Sequence, residues 1–79
     1  MYALLDADGL DRIASGETKF EVTVYSDDGE TLEVIKFWST QSNLEATVAD
    51  ELEENGYVQN DAFDFSDAPY ISAPVSYAD

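Results

Sequence analysis

The stretch from residue 19 to residue 38 constrains the fold more than any other. From Lys19 to Tyr25 the residues alternate, with Phe20, Val22 and Val24 on one face and Lys19, Glu21, Thr23 and Tyr25 on the other. A period of two is the signature of a strand with two unlike faces. Asp27-Asp28-Gly29 follows as turn chemistry, Gly29 being suited to a left-handed third loop position. Thr31 to Trp38 returns as the second strand. Pairing Ser26 with Glu30 sets Val24 opposite Leu32, Val22 opposite Val34 and Phe20 opposite Lys36. The apolar faces then match almost throughout. On that register Tyr25, Ile35 and Phe37 share the other face, and both sides of the sheet are expected to be partly covered.

A helix is expected over 42–55. Leu44, Val48 and Leu52 recur at i, i+4 and i+8 with Ala49 beside them, a single apolar stripe. Ser42 and Glu45, three apart, read as a capping box, and Asn55-Gly56-Tyr57 reads as the stop. The charges run against the helix dipole. Asp50, Glu51, Glu53 and Glu54 crowd the C-terminal half, where cations are favoured, and no Lys or Arg is spaced to neutralise them.

Elsewhere the signals are shorter. Met1 to Leu5 is a first strand or the lead-in to a helix, and Asp8 can cap a short helix from Gly9 to Ala14 that ends at Gly16. Tyr57 to Ser66 predicts a further strand, with Phe63 and Phe65 alternating against Asp64 and Ser66. Pro69 and Pro74 each remove an amide donor from the tail. Residues 68–79 are therefore expected as an irregular arm held by Tyr70, Ile71, Val75 and Tyr77, or as partly disordered. The resulting fold class is α+β. A small antiparallel sheet, made of the 19–38 hairpin and a strand near 57–66, packs on the 42–55 helix within a single domain spanning 1–79.

Charge then decides which functions are open. Eighteen acidic residues face three basic ones, for a net charge of −15. Residues 1–36 hold nine acids with Arg12, Lys19 and Lys36 (3 − 9 = −6), whereas residues 37–79 hold nine acids and no base (−9). Self-repulsion on that scale opposes compaction, and solubility alone needs far less. A hydrophobic fraction of 44% nevertheless argues for a folded core. Neither cysteine nor histidine occurs, which excludes disulfides, thiolate metal sites and imidazole chemistry. With no secretory signal and no apolar run of roughly 20 residues, the expected location is the cytoplasm.

Chemistry-bearing patterns are few. Asp6, Asp8 and Glu17 fall at positions one, three and twelve of a calcium loop, but Leu10 and Asp11 occupy its fifth and sixth positions. A solvated acidic turn is the better reading. Carboxylate pairs are expected from composition alone, and no nucleophile with a base and no phosphate-cradling glycine loop accompanies them, so no enzyme and no cofactor are expected. Phe20, Trp38, Phe63 and Phe65 are assigned to the core. Tyr25, Tyr57, Tyr70 and Tyr77 suit core edges or interface anchors.

The remaining candidate is the acidic surface: Asp27, Asp28 and Glu30 at the hairpin tip, Asp50, Glu51, Glu53 and Glu54 on the helix, and Asp61, Asp64 and Asp67 beyond it. A chain of this length is roughly 30 Å across. Duplex DNA carries about 18 phosphate charges over the same distance. Nucleic acid is thus excluded as a partner, and a protein that binds nucleic acid is the expected one, met by a monomer or homodimer of this chain. In size, composition and the absence of cysteine and histidine, the whole chain resembles the small acidic proteins that phages encode against host defences. Those are DNA-mimic inhibitors of restriction enzymes and CRISPR complexes. The resemblance implies a non-catalytic inhibitor in the host cytoplasm. The competing readings are an acidic structural or accessory protein of a halophile or virion, and a protein–protein adaptor without mimicry.

Overall fold

The computed structural model describes residues 1–6, 18–40, 42–64 and 70–78. Strands β1 (Tyr2–Asp6), β2 (Thr18–Tyr25) and β3 (Thr31–Ser39) precede helix α1 (Leu44–Glu54), which is followed by β4 (Tyr57–Gln59) and β5 (Tyr70–Tyr77). The strands form an antiparallel sheet in the order β3-β2-β1-β5-β4. The α+β class stands as expected, and α1 packs on β4 and β3, the two edge strands of the sheet. The short helix expected over 9–14, the calcium-loop comparison beyond Asp6, and Phe65 and Asp67 lie outside the described residues.

The hairpin forms with a corrected register. Its turn is as expected: Ser26 N donates to Glu30 O at 2.9 Å, Gly29 N to Ser26 O at 3.0 Å, and Gly29 sits at φ +85°. One step into the ladder, Tyr25 pairs with Thr31 but Val24 pairs with Glu33, which leaves Leu32 as the extra residue of a β-bulge. Val22 therefore meets Ile35 and Phe20 meets Phe37, not Val34 and Lys36. A one-residue slip exchanges the two faces of a strand. The regular register would bury Lys36 beside Phe20, and burying an unpaired charge is costly. The bulge instead sends Ile35 and Phe37 inward and Lys36 out. Trp38, expected in the core, is 61% exposed. On the outer face Leu4, Thr23 and Tyr25 are half-buried while Val34 and Trp38 are exposed, and Ile35 and Phe37, expected there, lie on the inner face.

The inner face carries Ala3, Leu5, Phe20, Val22, Val24, Ile35, Phe37, Ile71, Ala73 and Val75, all buried. Leu44, Val48 and Leu52 of α1 close over it, and the predicted stripe is the buried face of the helix. The capping box is absent. Asn43 holds the N-cap position without a side-chain hydrogen bond, while the Oγ1 and carbonyl oxygens of Thr40 accept from Asn43 N at 3.3 and 3.2 Å. A turn anchored on Thr40 thus delays the helix past Ser42. At the other end Gly56 adopts φ +91°, as a left-handed stop requires. Asn55 Nδ2 donates to Glu51 O at 2.8 Å and satisfies one terminal carbonyl.

The tail needs the largest correction. Residues 70–77 are not an irregular arm but β5, which pairs with β1 through Tyr70–Pro74 and with β4 through Val75–Tyr77. Pro74 stands where the pairing changes sides, so its missing amide breaks little of either ladder. Its carbonyl accepts from Asn60 N at 2.8 Å, and Val75 N donates to Met1 O at 3.2 Å. Of the strand expected over 57–66, the described residues form one only at Tyr57–Gln59, and Phe63 is buried as expected.

Candidate functional site

Helix and sheet together decide where the predicted carboxylates fall. β3 ends at Ser39, whose Oγ lies 3.2 Å from Thr47 Oγ1 in the first half of α1. The helix then runs back along β3. Tyr57, just beyond its end, donates its hydroxyl to Glu33 Oε1 at 3.1 Å. Glu33 lies three residues from the hairpin tip. The C-terminal half of α1 and the 26–30 turn therefore occupy the same end of a molecule measuring 36 × 22 × 19 Å.

Asp27, Asp28 and Glu30 are exposed at the tip, and Asp50, Glu53 and Glu54 are exposed on the helix with Glu51 half-buried beside them. The last turn of α1 contains no basic residue. Among the described residues the cation at this end is the Met1 ammonium, paired with the Asp27 carboxylate. Lys19, opposite Trp38, belongs to the other end, and Lys36 projects from the middle of β3 on the outer sheet face. Hairpin and helix acids thus share one end, and among the described residues no basic side chain stands between them.

Asp61 does not join this group. From β4 the chain runs antiparallel to β5 and away from the hairpin tip, because Tyr57 pairs with Tyr77 while Asn60 reaches back to Pro74. Asp61 instead borders an open groove of about 710 Å³ with Ser42, Glu45, Ala46, Ala49 and Gln59. Gln59 donates from Nε2 to Asp61 O at 2.9 Å, and its Oε1 is buried without a hydrogen-bond partner. Among the described residues no group of three or more acidic side chains is placed to hold a metal ion. No helix among them is long and apolar enough to cross a membrane.

Two features escaped the sequence. Glu33, opposite Val24, is drawn to the inner margin by the bulge and accepts the Tyr57 hydroxyl. Burial, reinforced by that hydrogen bond to a carboxylate, raises the Tyr57 phenol above its ordinary pKa. The second feature is the outer sheet face, where Tyr2, Val34 and Trp38 stand exposed. No protein-family model, curated protein or solved structure matches the chain.

Proposed function

We propose that this chain is a non-catalytic inhibitor that mimics the phosphate backbone of DNA and blocks a nucleic-acid-binding host-defence protein, a CRISPR effector or a restriction enzyme. One observation carries the reading: the acids of the hairpin tip and of the helix end gather at one end, and among the described residues no basic side chain interrupts them. Over 36 Å, the long dimension of the molecule, a DNA duplex presents roughly 21 phosphate charges. The protein's −15 is of the same order. Carboxylates in that position accept charge-assisted hydrogen bonds from the Arg and Lys that line a nucleic-acid cleft. The field steers the encounter, so association is fast and weakens with salt.

The charges also sit where they harm the fold, against the helix dipole and against one another. Selection for stability alone would not keep them there, which supports an outward purpose. The test is capture of proteins from a bacterial lysate on the immobilised chain, followed by elution with excess duplex DNA. DNA- or RNA-binding proteins released by the duplex are the expected result. An empty eluate, or a captured set that duplex DNA leaves in place, overturns the reading.

A further inference from the structure

We infer that the outer face of the sheet is a self-association surface that takes a second copy of this chain. Cross-strand pairing puts Tyr2 beside Tyr25, Leu4 beside Thr23 and Thr23 beside Val34 on this face, with Trp38 opposite Lys19. Tyr2 and Tyr25 stack with ring centroids 5.1 Å apart. Trp38, Val34 and Tyr2 are 61%, 48% and 38% exposed, and no element of the described fold packs over them. Tyr2 and Val34 lie on the hairpin side of the face and Trp38 at its far end, with a charged row between them, so the face presents apolar contacts on either side of a polar strip.

Charge identifies the occupant. Pairing aligns Asp6, Glu21 and Lys36 in one row across β1, β2 and β3, with Lys19 two residues from Glu21 on the same face. Two acids and two bases balance, in a molecule that is otherwise strongly negative. Neither a cationic cleft nor a polyanion is drawn to such a surface. A second copy fits it, because a two-fold contact sets each residue against a different residue of the same list, and lysines of one copy can meet acids of the other. Two copies also repel less when they approach through this balanced face than through the acidic end.

The area limits the strength. Four strands at about 4.8 Å spacing and about 3.3 Å per residue give a footprint of roughly 450 Å². A stable pair buries about 800 Å² per partner. The contact is therefore weak and concentration-dependent, and it strengthens with salt, which screens the repulsion between two chains of −15. Binding to a cationic target moves the opposite way with salt, so this inference and the proposed function fail separately.

The experiment is sedimentation equilibrium from about 10 µM to about 1 mM in low and in 0.5 M NaCl, on the natural chain and on a Val34→Thr/Trp38→Ser variant. Both substitutions leave the charge unchanged and fall at exposed positions, and a thermal melt checks that the variant is folded. The natural chain is expected to shift from monomer toward dimer at high concentration, more so at high salt, with at least a tenfold loss of association in the variant. A natural chain that stays monomeric at 1 mM in 0.5 M NaCl overturns the inference. So does a folded variant that dimerises as the natural chain does.

Discussion

The hydroxyl of Tyr57 reaches across the open side of the curled sheet to the carboxylate of Glu33, 3.1 Å away. The two residues belong to β4 and β3, the strands at opposite ends of the sheet order, and α1 packs against both. This contact fastens one edge of the sheet to the other. It also holds the end of the helix beside the hairpin, and so sets the acidic end. Tyr57→Phe removes the donor and keeps the ring, and is expected to cost about 1 kcal/mol in urea denaturation at pH 7.

The same bond fixes an alkaline dependence. Tyr57 has a raised phenol pKa in the folded chain, from burial first and from Glu33 second, against an ordinary value of 10.0. Its neutral form is the one the fold favours. The stabilisation is complete below pH 10 and is lost as the pH climbs through the higher folded value. The stability difference between the natural chain and Tyr57→Phe should therefore be constant from pH 7 to 9 and shrink above 10. A difference that grows above pH 10 would contradict the assignment.

The bulge at Leu32 makes neighbouring residues behave oppositely. Phe37 is buried against Phe20, with ring centroids 6.0 Å apart, whereas Trp38 is exposed. Phe37→Ala is expected to cost about 3 kcal/mol or more. Trp38→Ser is expected to cost less than about 1 kcal/mol. The regular register predicts the reverse order, and chemical denaturation of the two variants distinguishes them.

How far the sequence carried follows from these residues. Phe20, Val22 and Val24, and likewise Leu44, Val48 and Leu52, were legible because each set has one apolar face and no competitor. β3 was not, because Leu32, Val34 and Trp38 form one apolar set and Ile35 and Phe37 another. Only the position of Lys36 separates them, and only once a bulge is allowed. β5 was hidden by Pro74, whose cost depends on which side of the strand is paired there. Of the candidate site, the acids themselves were legible. That the hairpin and helix acids share an end, and that Asp61 does not, depends on the path of the helix along β3, which no local pattern records.

Clustered charge predicts a salt response. Screening at about 0.5 M NaCl weakens the repulsion among exposed carboxylates and their clash with the helix dipole. The melting temperature is expected to rise by about 4–8 °C between dilute buffer and 0.5 M NaCl, the equivalent of about 1 kcal/mol for a domain this size. A chain unfolded in dilute buffer and folded only above about 1 M salt would instead point to halophilic adaptation.

Gly56 ends the helix at φ +91°, and nothing stands within 4 Å of where a Cβ would be. The penalty for Gly56→Ala is therefore conformational alone, about 1 kcal/mol. Gly56→Asn should recover part of it, since Asn tolerates the left-handed region. Thermal melts of the pair check both values.

The most direct measurement is made on a chain carrying Asp50→Lys, Glu51→Lys, Glu53→Lys and Glu54→Lys. Cations at a helix C-terminus are favourable, so the variant should fold at least as stably as the natural chain. Its capture of DNA-binding proteins from the same lysate should fall at least tenfold. A stably folded variant that captures those proteins as well as the natural chain does would show that the helix end is not a phosphate mimic.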